Sequence, residues 1–194
     1  MKSDLAKWYE EEGTDFLEKI GVRIGYTVVD FGCGKGHYTV PAAKLVGNIG
    51  VIYALDNNKS VLNELGKAVA EENIKNVELI SDIKNSSLED NSVDVVLCYD
   101  VLHHINSSDR KIIYNGFHRI LRKEALFSVY PKHCIGNLPS REFADVSIEA
   151  VIKEIEDSGF VLNEKIKSKL LHSGSFEEGT VLNFKKGEKN ALGR

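Results

Sequence analysis

Three glycines at alternate positions constrain this chain more than any other feature. The run from Tyr26 to Phe31 is mostly apolar, carries Asp30 near its end, and opens onto Gly32-Cys33-Gly34-Lys35-Gly36. A stretch able to form a helix follows from about His37. An apolar run of strand length, then a glycine turn, then a helix predicts a buried parallel strand entering a tight turn. Glycine suits such a turn because the chain must reverse sharply and bring bare backbone against a ligand. The helix start adds unpaired N–H groups and a partial positive charge. Residues 28–37 are therefore the expected ligand cradle.

Three glycine-loop chemistries compete for this segment. A phosphate-binding loop needs glycine, four residues, then Gly-Lys-Ser/Thr. Here Gly34-Lys35 is followed by Gly36, and the first glycine's position holds Val29. A dinucleotide fingerprint needs its third glycine five residues after the first. That position is His37. The observed order is acid-x-Gly-x-Gly-x-Gly, from Asp30 to Gly36. It resembles motif I of the class I S-adenosylmethionine-dependent methyltransferases.

The resemblance continues along the chain. A second buried strand, Val51 to Leu55, ends at Asp56-Asn57, and Asp56 lies 20 residues beyond Gly36. A nucleotide-binding α/β unit places there the acid that accepts hydrogen bonds from ribose hydroxyls. The competing role for Asp56 is to cap the helix that follows. A short third strand, Val77 to Ile80, precedes Ser81-Asp82-Ile83. In the family an acid here takes the adenine amino group and an apolar neighbour packs the ring, and Asp82 and Ile83 match those places. The fourth strand, Val93 to Tyr99, leads into Asp100-Val101-Leu102-His103-His104. This segment resembles motif IV of small-molecule C- and O-methyltransferases, including the ubiquinone/menaquinone-biosynthesis types. It lacks the Asn/Asp-Pro-Pro-Tyr of many enzymes that methylate amino groups of nucleobases or glutamine.

The resemblance implies a doubly wound, mostly parallel α/β sheet of seven strands, Rossmann-like, in a single domain. Residues 1–20 would form an N-terminal cap helix interrupted at Gly13, 21–185 the core, and 186–194 a polar tail. It implies S-adenosylmethionine as cofactor, held by Asp30, Gly32, Cys33, Gly34, Gly36, Asp56, Asn57, Asp82, Ile83 and Tyr99. His104 is the first candidate for a general base and His103 the second. The sulfonium is already an activated leaving group, so no metal is chemically required.

Further elements follow from patterning. Asn106 to Arg122 reads as a helix with Ile112, Ile113, Phe117, Ile120 and Leu121 on its core face and Asn106 or Ser107 as cap. Ala125 to Tyr130 reads as a fifth strand, Ser147 to Ser158 as a helix capped by Ser147. Phe160 to Leu171 and Thr180 to Phe184 read as a last antiparallel pair. The family usually has Leu-Lys-Pro-Gly-Gly before the fifth strand. Here it is Leu121-Arg122-Lys123-Glu124-Ala125, without proline or glycine. Residues 131–145 follow a strand end and should border the substrate pocket, where loops carry specificity.

Composition narrows the partners. The net charge of −4 gives no overall basic footprint for nucleic acid. No apolar run approaches the ~20 residues that span a bilayer. Cys33, Cys98 and Cys134 are an odd count in no paired spacing, which suggests reduced thiols in a cytoplasm. Arsenic methylation would need two or three of these thiols to converge. The expected partner is a small-molecule methyl acceptor, and the expected state is a monomer or homodimer. Two other classes stay open: a protein that binds S-adenosylmethionine without transferring methyl, and an NAD(P)-dependent oxidoreductase. The second is disfavoured by His37.

Overall fold

A computed structural model describes residues 2–81, 88–134 and 146–187. Seven strands lie in the order β3-β2-β1-β4-β5-β7-β6. They are β1 (Thr27–Phe31), β2 (Val51–Leu55), β3 (Val77–Ile80), β4 (Val93–Tyr99), β5 (Leu121–Tyr130), β6 (Phe160–His172) and β7 (Ser175–Lys186). The helices are α1 (Asp4–Lys7), α2 (Gly13–Ile20), α3 (Thr39–Val46), α4 (Lys59–Glu71), α5 (Ser107–Ile120) and α6 (Ile148–Glu156). The sheet is mixed, as the α/β patterning predicts.

The chain forms two units. One comprises Met1–Ser87 with Lys167–Gly179, the other Leu88–Ile166 with Thr180–Arg194. In the first, β1 pairs with β2 and β2 with β3, all parallel, in an unbroken register from Thr27↔Val51 to Phe31↔Leu55. Val28 and Val29 are wholly buried, which explains why β1 is a continuous apolar run rather than an alternating one. Helix α4 starts where Asn58 accepts the N–H groups of Ser60 and Val61. It buries Leu62, Leu65 and Val69, the i, i+3, i+7 stripe of an amphipathic helix. Asn76 donates to the carbonyls of Ala43 and Gly47, both at 2.9 Å, and so covers the carboxyl end of α3.

The N-terminal helix departs from expectation. Its irregularity is a π-helical turn, Trp8–Glu12, and Gly13 is the first residue of α2 rather than a break. A Cβ on Gly13 would stand 2.7 Å from the Trp8 carbonyl oxygen and 2.8 Å from Pro41 Cγ. Glycine is there for close approach between helices. Trp8 is buried against Phe16, Tyr38 and Phe176, and its indole N–H donates to the His37 carbonyl at 2.7 Å. It is an anchor for the segment after the glycine turn.

Between β6 and β7 the chain turns on Ser173-Gly174 alone, both at positive φ (50° and 83°). That is the two-residue turn whose twist matches antiparallel strands. Both strands are longer than the sequence pattern suggests.

In the second unit β4 and β5 are parallel and β5 and β7 antiparallel. Asn106 caps α5 by accepting from Asp109 N–H, and Ser147 caps α6 by accepting from Ala150 N–H. The expected core face of α5 is partly wrong. Ile112 is 66% exposed, and the buried stripe runs through Arg110, Tyr114, Phe117 and His118. Arg110 can point inward because Glu154 of α6 meets its guanidinium with two bonds of 2.7 Å. Strand β5 begins four residues earlier than expected. Its pairing jumps from Val93↔Leu121 to Val95↔Leu126, so Arg122, Lys123 and Glu124 bulge outward.

Candidate functional site

In the first unit the glycine loop lies at the carboxyl ends of β1 and β2. The Gly32 and Cys33 N–H groups both donate to the Leu55 carbonyl, at 2.8 and 3.0 Å. This locks the loop to the end of β2. The Gly34 N–H donates to Asp56 Oδ2 at 3.0 Å, and Asp56 Oδ1 accepts the Asn58 N–H at 2.9 Å. Asn58, not Asp56, caps α4. Asp56 is half-buried and tied to the loop, and a carboxylate has acceptor capacity beyond these two bonds. Asn57 beside it is exposed.

Gly32, Gly34 and Gly36 all have positive φ. The two that matter sterically differ. At Gly34 an added Cβ would meet nothing closer than the Gly32 carbonyl oxygen at 4.0 Å, so the bare side of the loop is open. At Gly36 it would strike Leu65 Cδ1 at 2.3 Å, so that face is core. The loop rests on a cluster of Cys33, Val40, Ala54, Leu62, Leu65 and Val69. An open backbone edge above a packed floor, with an acid at its side, fits an adenosyl group bearing ribose hydroxyls.

Asp30 sits below this loop, almost wholly buried, and accepts the Thr39 hydroxyl at 2.6 Å. Burial pushes its carboxyl up to about 6, against the Thr39 bonds that favour the anion. The helix after the glycine loop, α3, begins at Thr39 rather than His37, since Gly36 and its neighbours complete the turn. His37 is held below the usual imidazole range, by burial first and then by Lys35. Asp82 and Ile83 lie outside the described residues.

The second unit gathers polar groups at the carboxyl ends of β4 and β5. The Tyr99↔Tyr130 pair ends the β4–β5 ladder, and the Asp100 N–H donates to the Tyr130 carbonyl at 3.0 Å. Asp100 Oδ1 lies 3.4 Å from His133 Nε2 and 3.7 Å from His103 Nδ1. The His103 ring is 3.8 Å from the His104 ring and 4.4 Å from the His133 ring, centroid to centroid. His103 is buried and His104 exposed on a single 3₁₀ turn, Leu102–His104. Arg110 steadies this turn by donating to the Ile105 carbonyl at 2.6 Å.

Tyr99, expected to touch the cofactor, is buried. Its hydroxyl pairs with Ser128 Oγ at 2.7 Å, and Ser128 donates onward to Asn183 at 2.7 Å. This chain ties β4, β5 and β7 together. Burial raises the thiols of Cys33 and, to about 11, Cys134. The sequence singles out His103 and His104 and gives Asp100 and His133 no role beyond the segments that hold them. Their meeting depends on which strand lies beside β4, and 33 positions of sequence hide it.

The model of a family described as a methyltransferase domain matches residues 28–124, half of the chain. A demethylmenaquinone methyltransferase of Geobacillus is 33% identical over 91 residues, 46% of this chain and 37% of that protein. Aklanonic acid methyltransferase DauC of Streptomyces is 29% identical over 98 residues, 46% of this chain and 44% of that protein. The chain spans less than half the length of these curated relatives. In fold it is similar to the crystal structure of a SAM dependent methyltransferase from Aquifex aeolicus, with a TM-score of 0.74 and 23% identity. That likeness covers 95% of this chain and all of the other.

Proposed function

Because the chain belongs to this methyltransferase-domain family, we propose that it moves the methyl group of S-adenosylmethionine to a small-molecule acceptor by in-line displacement. The observation that carries the reading is the bond from the Gly34 N–H to Asp56, which joins an open glycine edge to a ribose-type acid. In this reading Asp56 and Asn57 take the ribose, and Gly32, Cys33, Gly34 and Gly36 line the cofactor with their backbone. Asp30 supplies negative charge beneath it, and Tyr99 supports its strand end. Asp82 and Ile83 hold the adenine. The cofactor brings a methyl group already activated on a positive sulfur. The chain's part is to bind, orient and keep water out, and orientation alone is worth roughly 7–11 kcal/mol of barrier. His104 or His103 takes a proton where the acceptor must lose one, a contribution of about 10²–10⁴-fold.

A small-molecule acceptor is supported by the printed activities of the relatives and by the net charge of −4, which offers no general attraction for nucleic acid. No helix among the described residues is long and apolar enough to cross a membrane. The reading includes a cytoplasmic protein acting as a monomer or homodimer.

Thermal unfolding with S-adenosylhomocysteine, S-adenosylmethionine and NADH in parallel tests the cofactor. A ligand at ~100 times its Kd stabilises by about 2.7 kcal/mol. The midpoint should rise by roughly 5–10 °C with the first two and stay put with NADH. A rise with NADH alone would assign the glycine loop to a dehydrogenase. Binding of S-adenosylmethionine with no methyl transfer to any phenol, quinol or thiol would favour the non-catalytic binder.

A further inference from the structure

We infer that the N-terminal helical segment belongs to the cofactor site, with Trp8 as a positioning residue that sets the exit of the glycine loop through the His37 carbonyl. The inference rests on the methyltransferase reading. It adds to that reading a residue outside the stretch that matches the family, residues 28–124.

Pro41 creates the need. The chain leaving the glycine loop already bonds as a helix on either side of it. The Val40 N–H donates to the Gly36 carbonyl and the Ala42 N–H to the Tyr38 carbonyl, both at 3.0 Å. The bond between these two would run from residue 41 to the His37 carbonyl. Proline has no N–H to make it. The Trp8 indole N–H meets that carbonyl instead, at 2.7 Å, from 29 positions earlier in the chain. A carbonyl taken out of water needs a donor, and here a side chain supplies what a proline removes.

The packing around Trp8 is fitted to that bond. The Gly13 N–H closes the π-helical turn onto the Trp8 carbonyl, and a Cβ on Gly13 would stand 2.8 Å from Pro41 Cγ. The bare glycine thus makes room for the ring of the same proline. The Trp8 ring meets Tyr38 edge-on with centroids 5.3 Å apart, and the Tyr38 hydroxyl donates to the Leu171 carbonyl of β6 at 3.2 Å. Asp4 accepts the Phe176 N–H of β7 at 3.1 Å, and Lys44 of α3 donates to the Tyr9 carbonyl at 3.2 Å. These contacts hold the segment, and the indole bond carries the hold to the loop.

The stretch so held is short. His37 follows Gly36, which stands at φ 82°, and comes two residues before Thr39, whose hydroxyl donates to Asp30. The His37 carbonyl is therefore fixed between the last glycine of the loop and the acid beneath it. Fixing it preorganises the loop, which lessens the ordering that a ligand must impose. By reciprocity, a ligand on the loop tightens the indole bond.

Trp8 is the single tryptophan of the sequence, so the full chain labelled with nitrogen-15 gives one indole N–H resonance. S-adenosylhomocysteine should shift that resonance and slow its exchange with water by about 5-fold or more. Trp8→Phe keeps a ring in the packing and removes the donor. It should weaken S-adenosylhomocysteine binding about 10-fold. Pro41→Ala returns a backbone N–H at residue 41, so adding it to Trp8→Phe should shrink the loss to about 3-fold or less. Phe176→Leu removes a ring contact of Trp8 and leaves the donor. It should lower the melting midpoint and keep the affinity within about 2-fold. Unchanged affinity in Trp8→Phe, or a loss that Pro41→Ala does not relieve, would overturn the inference and leave the methyltransferase reading in place. So would affinity losses that simply track the midpoint across Trp8→Phe and Phe176→Leu, or an indole resonance indifferent to bound S-adenosylhomocysteine. A wild-type chain that binds no S-adenosylhomocysteine would overturn the reading itself, and this inference with it.

Discussion

The carboxyl end of β1 and the carboxyl ends of β4 and β5 solve the same problem with different residues. Both places hold backbone at positive φ. The first uses Gly32, Gly34 and Gly36, for which that conformation carries no Cβ strain. The second uses Asp100 and His133, for which it costs on the order of 1–2 kcal/mol each. Where the loop needs only bare backbone, glycine serves. Where a side chain must be presented from the same kind of bend, strain is retained with it.

Gly36 gives the strongest way to break this comparison. Gly36→Ala adds a Cβ at 2.3 Å from Leu65 Cδ1, at φ 82°. Leu65 is fully buried and cannot swing into solvent. Left-handed strain and overpacking together should cost about 2–5 kcal/mol, read as a fall in the denaturation midpoint. A variant of wild-type stability would show that the loop tolerates side chains and that the glycine pattern reports ligand contact only. Gly34→Ala provides the complement. Its Cβ meets open space, so stability should fall only by the strain of about 1–2 kcal/mol while cofactor affinity drops.

Asp30 sharpens the comparison from below the loop. Its folded-state carboxyl titrates near 6, above the usual ~3.9 of an unfolded chain. The anion is therefore disfavoured by folding. That penalty is full above pH 6, shrinks as pH falls from about 6 to about 4, and is gone below. Two pKa steps correspond to roughly 2–3 kcal/mol. Asp30→Asn keeps an oxygen for the Thr39 hydroxyl and removes the charge. It should be more stable than wild type at pH 7.5 by about that amount, with the gap closing toward pH 4. It should also bind S-adenosylmethionine more weakly, because the charge beneath the loop is lost. A variant destabilised at every pH would mean that the bonds to Thr39 need the carboxylate.

These two regions were not equally legible in the sequence. The glycine turn and its tie to Asp56 are legible because their parts are local: Asp30 and three glycines fall within seven residues, and Asp56 arrives at the spacing one βαβ step requires. The capping ambiguity at Asp56 yields to Asn58, whose side chain takes the helix N–H groups. The second cluster is non-local. Nothing in the residues around Asp100 or His133 reveals that Tyr99 will lie beside Tyr130. On α5, hydrophobicity pointed to Ile112, but a charge pair with α6 decides the face through Arg110 and Glu154. The Tyr99 hydroxyl finds its partner in Ser128 on the neighbouring strand, a contact that no local pattern announces. Local pattern reports backbone geometry well and side-chain partners across strands poorly.

Glu124 is another non-glycine in a glycine's place. It sits at φ 62° in the outward bulge of β5, where the family's usual motif has glycine. Unlike Asp100 and His133 it is exposed. Its carboxylate lies 3.4 Å from Lys185, in a surface pair with both side chains half-exposed or more, an arrangement worth little. No function is therefore attached to its strain. Glu124→Gly should stabilise the chain by about 0.5–1 kcal/mol, with the relief of left-handed strain exceeding the backbone entropy that glycine adds. The melting midpoint should rise by roughly 1–4 °C, with S-adenosylhomocysteine affinity unchanged. If the variant is less stable, the Lys185 contact holds the bulge in place.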